Sequence, residues 1–108
     1  SRPVGAEPAP NRDEEPTAYT CRAAQAKARA VLAALPPPLR ARSVILAADT
    51  VVALAGDILG KPRDTAHALA MLERLAGRAH EVISAVCLCL PPAMGATEEV
   101  FSDTSRVF

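Results

Sequence analysis

Residues 43–54 read Ser-Val-Ile-Leu-Ala-Ala-Asp-Thr-Val-Val-Ala-Leu, an apolar run broken in its middle by an acid and a threonine. The first half, residues 43–48, suits a short strand buried on both faces, and the apolar pattern resumes at Val51. A carboxylate inside such a strand is costly unless it is ion-paired, hydrogen-bonded or bound to a metal. Local conflicts of this kind tend to mark functional positions. The alternative is a structural Asp49 that caps a backbone turn. Aromatic residues make up only 3% of the chain, so the core must be built from Ala, Val, Leu and Ile. Each of these buries little area, which predicts modest stability for a single domain of 108 residues.

Around this run the pattern alternates between helix and strand. Residues 17–35 are Ala-rich, follow Pro16 and stop at Pro36-Pro37-Pro38, which predicts a helix. Arg22, Gln25 and Arg29 make one polar face of it. Lys27 lies on another stripe, with Ala24, Ala28 and Val31. From its neighbours alone, Lys27 is either a lysine snorkelling from a helix flank or a site residue. Gly56-Asp57 predicts a tight turn with a return strand through Ile58-Leu59. Gly60-Lys61-Pro62 then makes a stiff corner; if the two strands pair as a hairpin, Lys61 comes back towards Asp49-Thr50, and the alternative is an ordinary loop lysine. Asp64 is a good N-cap for a helix over residues 65–76, with an apolar stripe of Ala68, Leu69, Leu72, Leu75 and Ala76, and Gly77 as its stop. His67 reads as a solvated helix histidine. Residues 79–90 predict a long central strand, with Cys87 and Cys89 on one face, and residues 98–108 predict its partner. His80, at the start of the long strand, is either a ligand or a structural hydrogen-bonding residue.

Charge and cysteine usage narrow the function classes. Twelve basic residues balance twelve acidic ones, which argues against binding nucleic acid through a broad basic surface. A small phosphate site needs only two or three cations and is not excluded. The cysteine count is three, and Cys87-x-Cys89 without a second cluster reads first as a pair of small buried hydrophobes. Apolar runs fall short of the roughly 18 residues of a membrane span, and the first residues carry no signal-peptide pattern. The expectation is a cytoplasmic protein with no membrane partner. Residues 1–16 are rich in Pro, Glu and Ala and read as a loop, while Val107-Phe108 ends inside a strand pattern, so the chain reads as the middle of something longer.

Several motifs now stand in order: Arg22-Ala23-Ala24-Gln25-Ala26-Lys27-Ala28, Ala48-Asp49-Thr50-Val51-Val52, Leu59-Gly60-Lys61-Pro62-Arg63-Asp64, Met71-Leu72, Gly77-Arg78-Ala79-His80-Glu81-Val82 and Phe101-Ser102-Asp103-Thr104-Ser105-Arg106-Val107-Phe108. Together, over about residues 4–108, they resemble the Maf family of nucleoside triphosphate pyrophosphatases. The resemblance implies a Maf/ITPase-like α/β fold, a mixed twisted sheet with flanking helices. Residues 17–108 would be the central part of one such domain and residues 1–16 an N-terminal loop segment.

The resemblance also implies roles. The family enzyme hydrolyses a nucleoside triphosphate to the monophosphate and pyrophosphate with a divalent cation, Mg²⁺ or Mn²⁺. Its Ala-Asp-Thr aspartate is the catalytic acid-base residue, which carries over to Asp49. Thr50 would take part in substrate selection, and Lys27 and Lys61 would be phosphate-site residues. Asp49 and Glu7 are the candidate metal ligands. The Asp-Thr pair with Gly77-Arg78-Ala79-His80 resembles the branch acting on dTTP and UTP. A homodimer contact is compatible with this reading. The family's Ser-x-Ser-Pro-Arg-Arg segment and its C-terminal portion do not occur in these 108 residues. A non-catalytic remnant that keeps the sheet is therefore the competing expectation. A related phosphohydrolase preferring inosine or xanthosine triphosphate is a third.

Overall fold

The computed structural model describes residues 8–11, 13–55, 57–59 and 64–107. Helix α1 spans Pro16–Ala34 and a single turn, α2, spans Pro37–Arg40. Strand β1 (Ile45–Leu54) and short β2 (Asp57–Leu59) precede helix α3 (Thr65–Leu75). Two long strands close the fold, β3 (His80–Cys89) and β4 (Glu98–Val107), joined through a 3₁₀ turn at Pro92–Met94. The sheet order is β2-β1-β3-β4, and every described pairing is antiparallel. The expected α/β sheet with flanking helices is present, and β3 is central as expected.

Alanine content drives α1, and Pro16 sits in its first turn, where a missing N–H costs nothing. The helix ends because Leu35 precedes Pro36 and is held extended, with φ −77° and ψ 143°. Arg40 caps the orphaned carbonyls there: its Nε donates to Leu32 O at 3.2 Å and its Nη2 to Leu35 O at 3.0 Å.

Ala23, Ala24 and Ala28 of α1 are fully buried against β1 and β3. With only methyl groups between them, helix and sheet approach closely. Directly paired residues of antiparallel strands share a face. The covered face therefore carries Ile45, Ala47, Asp49, Val51 and Ala53 of β1 opposite Cys89, Cys87, Ala85, Ile83 and Glu81 of β3.

Four expectations change. The run beginning at residue 43 is not covered on both sides: Leu46 is 70% exposed, and Ala48 and Thr50 are exposed on the face away from α1. The reason is that α1 is the helix packed across β1 and β3, and it lies on one side of them. The hairpin register also differs. Leu54 pairs with Asp57, so Asp57 already belongs to the return strand, and Ala55 takes the left-handed φ of 52° in the turn. In α3 the half-buried residues are His67, Ala68, Met71 and Leu75, whereas Leu69 and Leu72 face outward. This helix lies beside β2, forming a small cleft with Ile58 and Leu59, and so the stripe that turns inward contains His67. His67 is accordingly half-buried rather than solvated. The Asp64 cap is as expected, its Oδ1 accepting the His67 backbone N–H at 2.8 Å, and Gly77 has φ +68° just past the helix end.

Candidate active site

The core under α1 falls into two apolar clusters. One gathers Ala24, Ala28, Ile45, Ala85, Cys87 and Cys89. The other gathers Tyr19, Ala23, Val51, Ala53 and Ile83. Along the covered face of β1, Ala47 packs on the first cluster and Val51 belongs to the second. Asp49 stands between them, opposite Ala85.

Asp49 is only 8% exposed, so its carboxylate needs a partner, and Lys27 supplies it. Lys27 Nζ lies 2.7 Å from Asp49 Oδ1 and 3.4 Å from Ala48 O, with 15% of its side chain exposed. A charge-assisted contact of this length fixes the carboxylate's direction. The Lys27 ammonium is thus turned onto Asp49 and does not snorkel away from the sheet. Its placement follows from the close helix–sheet approach that the alanines permit, since α1 carries Lys27 one residue before the buried Ala28.

Thr50 points to the opposite face, where its Oγ1 lies 3.2 Å from Ser84 Oγ. Ser84 is the residue paired with Thr50 across β1 and β3. Nothing in the order of residues announces Ser84; only the strand register brings it there. Among the described residues, β2 pairs with β1 only at Val52, Ala53 and Leu54. Residues 60–63, which follow Leu59, lie outside the described ones. Lys61 and Glu7, the other site expectations, lie outside the described residues. His80 Nδ1 lies 3.1 Å from Arg78 O.

A hard divalent cation such as Mg²⁺ takes one or two carboxylates plus substrate phosphate oxygens. Among the described residues Asp49 can supply a carboxylate to such a donor set. The described His, Cys, Asp and Glu side chains converge in a group of three only at Cys87, Cys89 and Glu98, a thiol-rich set unsuited to Mg²⁺.

Residues 2–108 match the family model described as Maf-like protein. The chain belongs to the Maf family. It is similar to a dTTP/UTP pyrophosphatase of Nitratidesulfovibrio vulgaris, 49% identical over 105 residues that cover 97% of this chain and 46% of the relative. A dTTP/UTP pyrophosphatase of Oleidesulfovibrio alaskensis is 52% identical over 86 residues, 79% of this chain and 36% of that protein. One of Burkholderia orbicola is 44% identical over 99 residues, 86% of this chain and 47% of that protein. The Maf chain described here thus spans less than half the length of these relatives. Among its described residues no helix is long and apolar enough to cross a membrane.

Proposed function

We propose that the protein is a nucleoside triphosphate pyrophosphatase acting on dTTP and UTP, with Asp49 as its general base. The observation that carries this reading is the buried Lys27–Asp49 contact of 2.7 Å, at an acid that interrupts an apolar core face. The names of the similar proteins support the substrate class.

Hydrolysis between the α- and β-phosphoryl groups requires a placed water, an acceptor for its proton and cations against the phosphate charge. Asp49, held by Lys27, accepts the proton as the water oxygen bonds the α-phosphorus. The α–β anhydride bond breaks and pyrophosphate leaves with the electron pair. Lys27 and Lys61 offset phosphate charge, and Thr50, backed by Ser84, contributes to choosing the nucleotide. A divalent cation, Mg²⁺ or Mn²⁺, would be held by Asp49 and the triphosphate, with Glu7 as a second candidate ligand. When bound it supplies charge neutralisation on the phosphates.

The remaining parts of the reading are a central piece of one Maf domain over residues 17–108, preceded by a loop segment over 1–16, a homodimer contact and a cytoplasmic location. The described cysteines, Cys21, Cys87 and Cys89, are free thiols, which suits a reducing compartment.

The test is pyrophosphate release from dTTP and UTP by the full-length protein. Asp49→Asn keeps the shape of the side chain and removes the proton acceptor, and the expected loss in turnover is about 10²–10⁴-fold. Near-normal turnover by this variant would remove Asp49 from the chemistry. Faster release from inosine triphosphate than from either pyrimidine nucleotide would correct the substrate class.

A further inference from the structure

The second half of β3 brings two thiols and a carboxylate together away from Asp49. Cys87 and Cys89 both face α1, and Cys89 pairs with Glu98 across β3 and β4, which puts Glu98 on the same face. One Sγ from each cysteine and a carboxylate oxygen of Glu98 all lie within 4.8 Å of one another. The sequence alone shows only a Cys-x-Cys pair; the strand register adds the third donor.

We propose that Cys87, Cys89 and Glu98 form a binding site for a thiophilic divalent cation, Zn²⁺, separate from the hydrolytic centre. Donors bound tetrahedrally at Zn–S distances of about 2.3 Å sit roughly 3.5–3.8 Å apart. Closing the widest pair onto an ion therefore asks for about 1 Å of movement at most, within reach of side-chain rotation. Two thiolates and a carboxylate select a soft or borderline cation over Mg²⁺ or Mn²⁺.

Three further features fit an ion here. The first is a cavity of about 600 Å³, lined by Cys89, Glu98, Leu90, Pro91, Arg29 and Arg40 among others. It gives an entry path to Cys89 and Glu98 and room for water as the fourth ligand, while Cys87 is buried and is not among its lining residues. Asp49, Lys27 and Thr50 are not among its lining residues. The second is Glu98's hydrogen-bonding capacity. Arg29 Nε donates to Oε1 and Arg29 Nη2 to Oε2, both at 2.8 Å, and Gln25 Nε2 donates to Oε2 at 3.3 Å. A carboxylate has about four lone-pair sites, so Oε1 can accept a cation while Arg29 stays in place as the outer partner that orients it. The third is charge. Two thiolates and one carboxylate against Zn²⁺ and the Arg29 guanidinium sum to zero, which offsets the cost of charging the two buried thiols.

The test is titration of the reduced chain with Co²⁺ under anaerobic conditions, followed by displacement with Zn²⁺. The expected result is one equivalent of tetrahedral cobalt with a thiolate-to-cobalt charge-transfer band, bleached by Zn²⁺. Cys87→Ser and Cys89→Ser should each abolish the band, and Cys21→Ser should leave it intact. Glu98→Gln should weaken Co²⁺ binding by at least about tenfold while the thiolate band persists at saturation. Circular dichroism shows which variants fold, and the wild-type and Glu98→Gln titrations decide the matter if a cysteine variant does not. Absence of a charge-transfer band in the wild type would overturn the site. So would a band lost in Cys21→Ser, or undiminished Co²⁺ affinity in Glu98→Gln. None of these readouts depends on nucleotide hydrolysis.

Discussion

Under α1 the side chains of β1 run Ile45, Ala47, Asp49, Val51, Ala53; on the other face they run Leu46, Ala48, Thr50, Val52 and Leu54, exposed from Leu46 to Thr50 and buried at Leu54. Both faces have a polar residue in the middle of an apolar row. On the covered face the polar group is buried and held by a lysine from the helix. On the bare face it is an exposed hydroxyl paired with another exposed hydroxyl, Ser84. Burial makes the first arrangement expensive to maintain without a partner, whereas water would satisfy the second at little cost. The same alternation of residue types therefore carries different information on the two faces. Asp49 demands a partner, whereas Thr50 does not.

The largest expected difference between the faces is in packing. Ile83 is 2% exposed beneath α1, and Ile83→Ala should destabilise the fold by about 3–4 kcal/mol through lost burial and the cavity left behind. Leu46 has no described layer above it, and Leu46→Ser should change stability by no more than about 0.5 kcal/mol. Urea denaturation of the two variants checks this. A cost for Leu46→Ser approaching that of Ile83→Ala would mean that another surface covers this face in solution.

Next in size is the ion pair. Lys27→Met leaves the Asp49 carboxylate in the helix–sheet interface without its cation. Breaking a buried pair typically costs about 3–5 kcal/mol; because Lys27 keeps some contact with water, about 2–3 kcal/mol is expected here. The Lys27→Met, Asp49→Asn double variant should recover much of that loss, since no charge is then left buried. A double-mutant cycle by thermal denaturation measures the coupling. If Lys27→Met alone is neutral, the pair is effectively solvated, and the contrast between the two faces fails at its centre.

Local chemistry made part of this visible in advance. The limits of α1, the Asp64 cap and the Gly77 stop follow from residues within a turn of each helix end, and the structure has them close to where they are expected. Asp49 was legible because an acid in an apolar run conflicts with its own neighbours. Features decided by pairing or packing were not legible. The position of the turn at Ala55 depends on Leu54 choosing Asp57 as its partner. The inner stripe of α3 depends on which side β2 occupies, and the bare face on α1 covering only one side. Lys27 could be read either way until helix and sheet were placed together. Ser84 and Glu98 became visible only through register, each lying opposite a residue already singled out.

The smallest effect concerns residues 8–11 and 13–15, which are fastened to the first turns of α1. Tyr19 donates its hydroxyl to Pro8 O at 2.8 Å, and Arg22 Nη2 donates to Ala9 O at 2.8 Å. Arg22 also makes a two-pronged pair with Glu14, at 2.9 and 2.7 Å. The Arg22 hydrogen bonds, followed by one from the Asn11 backbone N–H, pull the Glu14 carboxyl down from 4.5 to about 2. A depressed carboxyl adds stability that is fully present above its unfolded value and is lost as pH falls through the folded one. The contribution of Glu14 should therefore be complete above about pH 5 and fade between about pH 4.5 and 2. Glu98 is also lowered, chiefly by the Arg29 hydrogen bonds, and would titrate in the acid range as well. The measurement is therefore the difference in thermal midpoint between the wild type and Glu14→Gln across that range, in which the Glu98 contribution cancels. Wild type should exceed Glu14→Gln by a small margin near neutrality, and the two should converge towards the bottom of the range. A gap that stays constant with pH would show that Glu14 does not hold the segment through its charge, leaving the Tyr19 and Arg22 bonds to backbone carbonyls as the described fastenings.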